Sequence, residues 1–116
     1  MVSPGTLALL RFPHTDLSPG KPRPVLLLAP TPGPYEDWLV AMVSSQLDQA
    51  VSGLDEVILE TDPDFPGTGL KRSSVVRLSR LAVVDKGLLL GKLGDLSPRR
   101  FYHLRARLCQ WICGTP

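Results

Sequence analysis

The sequence lacks most of the signals that announce a common class of chemistry. It has two cysteines in 116 residues, Cys109 and Cys113, and two histidines, His14 and His103. A zinc site needs about four ligands, so a His103–Cys109–Cys113 centre is one short, and no metal or other cofactor is expected. The thiols read as small apolar residues of a reducing compartment. Net charge is also scarce. Thirteen basic residues face eleven acidic ones, giving +2 and a pI of about 8.7. A whole-molecule field that weak does not by itself point to nucleic acid. No run approaches the ~18 apolar residues of a transmembrane helix. Met1–Gly5 has no basic n-region and no cleavage site follows, so no signal peptide is read and the chain is expected in the cytoplasm. The chain holds no GxSxG elbow, no GKS or GKT phosphate loop, no HExxH and no GxGxxG. Those absences remove the common hydrolase, nucleotide-binding and zinc-protease readings.

What is present is a foldable chain rich in turn formers. Hydrophobic residues make up 43% and charged residues 21%, enough apolar content for a core. Ten glycines and twelve prolines favour short elements and many turns. The length suits one domain over 1–116. A core of this size is modest, which makes self-association a reasonable source of further burial.

Apolar runs set between Pro and Gly clusters read as strands. They are Thr6–Phe12, Val25–Ala29, Trp38–Val43, Glu56–Glu60, Ser73–Leu78 and Leu88–Leu93. Val25–Ala29 reads as buried on both faces. Arg80–Val84 reads as a continuation of the Ser73 strand past a bend. Val76 and Leu78 are expected on one face of that strand, Val75 and Arg77 on the other. Gly91 suggests a bulge or close packing. Pro13–Pro22, Pro30–Glu36 and Thr61–Gly69 read as loops. The one helix is the last element. Ser97 is its N-cap, Pro98 its first residue and Gly114 its stop. Phe101, Leu104, Leu108, Trp111 and Ile112 form its apolar stripe. Arg99 and Arg100 stand in the first turn, where the helix dipole disfavours positive charge. The fold expected is mainly β with a C-terminal helix, the sheet closing wholly or partly into a small barrel.

Chemistry-bearing residues collect at strand ends and in loops. Lys21-Pro22-Arg23-Pro24 sets a guanidinium directly before a strand, with a proline on each side restricting the backbone. A solvated arginine beside a strand-terminating loop is the plainer reading. Ser44, Ser45 and Gln46 follow the third strand, where hydroxyls can serve a phosphate oxygen or simply cap a turn. Gly67–Arg77 combines a glycine turn with Lys71, Arg72 and Arg77, and Arg80 follows. This local basic patch suits a phosphate backbone; a solvated face balanced by Asp62 and Asp64 is the alternative. His14 and Asp16 in the first loop could act as acid and base, read a base edge, or stay inert.

The order of these pieces resembles the MazF/PemK family of type II toxin–antitoxin ribonucleases. The matching stretches are GTLALLRFPHTD (Gly5–Asp16), KPRPVLLLA (Lys21–Ala29), VSSQ (Val43–Gln46), GTGLKRSSVVR (Gly67–Arg77) and LGDLSP (Leu93–Pro98). The resemblance implies an SH3-like barrel of the MazF/Kid/CcdB kind, a homodimer, and a cognate antitoxin that covers the RNA groove. It implies metal-independent cleavage of single-stranded RNA at a short preferred sequence, with a 2′-hydroxyl attacking the adjacent phosphate to leave 2′,3′-cyclic phosphate and 5′-hydroxyl ends. Carried over residue by residue, it makes Arg23 and Ser44 catalytic, with His14 as the suggested base. It assigns Lys21, Ser45, Gln46, Lys71, Arg72, Arg77, Ser79 and Arg80 to RNA binding. Some members carry an acid at the position of Ser79. Two other readings remain beside this one: a CcdB-like toxin that poisons gyrase by binding, and a barrel that binds RNA or antitoxin without cleaving.

Overall fold

The computed structural model describes residues 2–11 and 21–114. Six strands form one antiparallel sheet: β1 (Thr6–Leu10), β2 (Arg23–Pro30), β3 (Asp37–Ser44), β4 (Glu56–Ile58), β5 (Ser74–Asp85) and β6 (Leu89–Asp95). Their order across the sheet is β4-β5-β3-β2-β1-β6. A one-turn helix, α1 (Phe65–Thr68), precedes β5, and α2 (Pro98–Cys113) closes the described chain.

The strand runs form because each buries apolar side chains. Val25, Leu26, Leu27 and Leu28 are all buried, as expected for a strand covered on both faces. Leu26 and Leu28 join Leu7, Ala41, Val76 and Leu78 beneath α2, which contributes Phe101, Leu104 and Leu108. Val25 and Leu27 join Leu10, Trp38, Val40 and Val84 on the opposite face. Each fully buried leucine stabilises the fold by about 1.5–3 kcal/mol.

Several expectations change in detail. The sheet has two edges, β4 and β6, and among the described residues no ladder joins them; the barrel is not closed by hydrogen bonds. Helix α1, inside the stretch expected to be a loop, packs on β6 instead. The contact is backbone on backbone: a Cβ at Gly94 would lie 2.3 Å from the Gly67 carbonyl oxygen. Gly69, with φ +71°, stops α1 and passes just as close to Leu93. No other residue fits that crossing.

Strand β5 runs unbroken through residue 85 by way of a bulge. Ala41 pairs with Leu81 while its neighbour Met42 pairs with Arg77, which bends the strand as the Arg80–Val84 reading required. Gly91 lies beside a bulge in β6, opposite the step from Leu9 to Leu10, with nothing close enough to explain it by packing. The last turn of α2 overhangs the sheet. Trp111 is 59% exposed and Ile112 64%, so the apolar stripe that packs ends at Leu108.

Candidate active site

The pairing of β2 with β3 builds the site. Val25 pairs with Met42 and Leu26 with Ala41. The same register continued toward the ends sets Arg23 opposite Ser44, on one face of the sheet. Pro22 and Pro24 fix the backbone on both sides of Arg23, and Arg23 is held to β1 by its pairing with Leu10.

Around this pair opens a groove of about 390 Å³. Lys21 and Arg23 line it from the start of β2, and Ser44, Ser45 and Gln46 from the end of β3 and the turn after it. Lys71 and Arg72 come in from the loop that Gly69 turns against β6, while Leu9, Leu70 and Leu93 supply apolar wall. Arg23, Lys71 and Arg72 are exposed. Among the described residues no carboxylate forms an ion pair with Lys21, Arg23, Lys71 or Arg72. The charge of these four side chains is left unmatched by the described carboxylates.

Ser44 is half-buried. Its Oγ accepts a hydrogen bond from the Gln46 N–H at 3.1 Å. With that lone pair used, the hydroxyl hydrogen is left to donate into the groove. Gln46 in turn accepts from Gln49 Nε2 at 2.6 Å.

Three expected RNA-binding residues do not line the groove. Arg77 turns toward Gln49 and Asp55, its Nη1 donating to Gln49 Oε1 at 3.3 Å and its Nε standing 3.9 Å from Asp55 Oδ2. Ser79 donates from both its backbone N–H and its hydroxyl to Asp55, at 3.0 and 3.1 Å. Arg80 is exposed on the bulge. His14 and Asp16 lie outside the described residues.

Asp55 and Gln49 were not legible in the sequence. Asp55 follows Ser-Gly-Leu and reads as an ordinary turn residue. Only the β5 bulge, which turns Ser79 toward it, reveals that a carboxylate stands beside the position where some toxins of the resembled family carry an acid.

A second, larger cleft of about 580 Å³ opens at the start of α2 and is also rich in arginine. The charges of Arg100 and Arg107 are spent internally. Arg100 pairs with Glu56, Asp62 and Asp64 at 2.7, 3.0 and 2.8 Å. Arg107 reaches Glu56 at 2.6 Å. Ser97 caps the helix as expected, accepting from the Arg100 N–H, and donates to Asp64 at 2.8 Å. The Arg100 hydrogen bonds, with help from Ser97 and against some burial, hold the Asp64 carboxyl well below the usual carboxylate range. Asp64 likewise raises the Arg100 guanidinium above its ordinary value. The carboxylates offset the unfavourable placing of Arg100 in the first turn. This cleft is a structural ion-pair network, and the β2–β3 groove is the candidate site. Among the described residues, no group of three or more His, Cys, Asp or Glu side chains could hold a metal ion, and no helix is long and apolar enough to cross a membrane.

Residues 3–112 match the family described as PemK-like, MazF-like toxin of type II toxin-antitoxin system. The chain belongs to this family. Among solved structures it is similar to the Mycobacterium tuberculosis toxin MazF-mt6, with a TM-score of 0.68 at 17% identity, covering 93% of this chain and 96% of that one. It is also similar to an endoribonuclease in complex with its cognate antitoxin from a mycobacterial species, with a TM-score of 0.64 at 15% identity, covering 97% and 94%. Among curated protein sequences none matches. At these identities the two structures speak for a shared fold: an antiparallel sheet and C-terminal helix of the MazF kind, as the sequence resemblance implied.

Proposed function

We propose that this toxin is a sequence-specific endoribonuclease of single-stranded RNA, acting without a metal and held in check by a cognate antitoxin. The observation that carries the reading is the facing of Arg23 and Ser44 in a cationic groove whose cations meet no carboxylate among the described residues. Membership of the toxin family and the likeness to a mycobacterial endoribonuclease in complex with its cognate antitoxin support it.

In the reaction, the RNA backbone lies along the groove with Lys21, Lys71 and Arg72 on its phosphates. The 2′-hydroxyl oxygen attacks the adjacent phosphorus and its proton passes to a base, the part suggested for His14. The bond from phosphorus to the 5′-oxygen breaks, and that oxygen takes up a proton. The products are a 2′,3′-cyclic phosphate and a 5′-hydroxyl. Negative charge grows on the nonbridging oxygens, where a fixed guanidinium and a hydroxyl donor stabilise it. An oriented donor of this kind is worth about 3–4 kcal/mol. A guanidinium does not give up its proton readily enough to be the base, so Arg23 is the clamp and a candidate donor to the leaving oxygen. Ser45 and Gln46 meet bases or sugars at the end of the groove. The protein works in the cytoplasm as a homodimer, which adds the burial that a small core lacks.

The test is to incubate purified protein with a defined RNA, with and without EDTA, and map both ends of the fragments. Discrete cuts bearing 5′-hydroxyls, unchanged by chelation, are expected. Intact RNA together with inhibited gyrase supercoiling would replace this reading with that of a gyrase poison. Intact RNA that is nonetheless bound would leave a non-cleaving module.

A further inference from the structure

We infer that Asp55, Arg77 and Gln49 form a positioning relay that holds the Ser44–Gln49 turn in register with Arg23, and that Arg77 serves the RNA through this turn rather than by touching phosphate. The inference rests on the ribonuclease reading.

The relay starts at a carboxylate with no solvent of its own. The Asp55 side chain is fully buried. It accepts from the Val51 N–H at 2.8 Å and from the Ser79 N–H and hydroxyl at 3.0 and 3.1 Å. Those bonds join the β3–β4 connection to the β5 bulge. A buried carboxylate so well bonded is rigid, and it still carries a charge that calls for a cation. Arg77 answers it, with Nε 3.9 Å away.

The way Arg77 answers is informative. By pairing, Arg77 sits opposite Met42, one pleat along from Ser44 on the same face. An arginine there could swing toward the groove and solvent. Instead its Nε is buried with no hydrogen-bond partner, an arrangement an unconstrained surface arginine would avoid. It accepts that loss while one end faces Asp55 and Nη1 donates to Gln49. Gln49 passes the constraint on, donating to Gln46 at 2.6 Å. The Gln46 N–H ends the chain on Ser44 Oγ. The first step is a 3.9 Å ion pair and the three that follow are hydrogen bonds, so the placing of the hydroxyl traces back to a buried carboxylate on the far side of β5.

The sequence departs from part of the resembled family by having Ser79 where an acid can stand. Asp55 supplies a carboxylate to that same spot from a different strand connection. Here the carboxylate is enclosed, so it orients other groups and does not meet substrate.

Two variants of the protein test the relay, Gln49→Ala and Arg77→Gln. Gln49 is exposed, so its replacement leaves folding intact even if that of Arg77 does not. With one defined RNA, Gln49→Ala and Arg77→Gln are each expected to lower kcat about 10- to 100-fold, the scale of a misplaced catalytic group. KM and the salt dependence of RNA binding stay at wild-type values, and the double variant is no worse than Arg77→Gln alone. Backbone amide exchange at Gln46 and Gln49, read by NMR without RNA, quickens in both. A raised KM with a flatter salt dependence in Arg77→Gln would make Arg77 a phosphate contact and overturn the relay. So would unchanged amide exchange, or losses that multiply in the double variant. If wild-type protein leaves RNA intact while exchange still responds, the ribonuclease reading fails and the relay's structural half stands.

Discussion

Two regions of this small protein concentrate arginine, and they use it in opposite ways. At the start of α2, Arg100 and Arg107 lie among Glu56, Asp62 and Asp64 and are neutralised. At the ends of β2 and β3, Arg23, Lys71 and Arg72 line a groove without a carboxylate partner among the described residues. The first arrangement ties a helix to the sheet edge. The second leaves positive charge waiting, which costs self-repulsion and gains nothing for the fold. Unspent charge held by a rigid backbone is the mark of a binding site.

That contrast can be broken from either side. The largest effect on folding is expected at Arg100. Arg100→Met strips Asp62 and Asp64 of their cation, leaves Glu56 with Arg107 alone, and should destabilise the protein by about 3 kcal/mol, read from urea unfolding, while cleavage per folded molecule is unchanged. Ser97→Ala removes the helix cap and one bond to Asp64, and should cost about 1 kcal/mol in the same assay.

A pH titration sharpens the difference further. Asp64 has a folded value below its ordinary 3.8, so the stability it lends is complete above that ordinary value. It drains away as pH falls below it toward the depressed folded value. Unfolding measured from neutral pH down should steepen below about pH 4 and flatten there in Asp64→Asn. An unchanged acid limb would mean that the network is looser than its distances.

The smallest effects belong to the groove's flanks. Lys71→Ala and Arg72→Ala should each weaken RNA binding several-fold, evenly across sequences, and lower the slope of log affinity against log salt by about 1. Arg105→Ala, on the exposed face of α2, should not move that slope.

Much of the fold was legible because the apolar runs are short and framed by Pro and Gly. β2 and α2 were the clearest, the one buried on both faces, the other bounded by Ser97, Pro98 and Gly114. The reach of α2's packing was misjudged at Trp111 and Ile112 because periodicity gives a face and not the length of the surface it meets. Whether the barrel closes wholly or partly was left open for a related reason: pairing between β4 and β6 depends on how far bulges bend the sheet. In the site, Arg23 and Ser44 were visible as a rigid cation and a strand-end hydroxyl, and Lys71 and Arg72 as a basic run. Arg77 and Ser79 looked no different from these in the sequence. A bend after Leu78 was legible, but not that it would set Ser79 and Arg77 against Asp55 and away from the groove.

In the proposed reaction Arg23 and Ser44 act together on the scissile phosphate. The most direct measurement is single-turnover cleavage of one RNA by wild-type protein, Arg23→Ala and Ser44→Ala, with thermal unfolding of each as the control. The prediction is a loss of about 100- to 1,000-fold for Arg23→Ala, a smaller loss for Ser44→Ala, and unfolding temperatures that match the wild type. Cleavage by Arg23→Ala at the wild-type rate would contradict it.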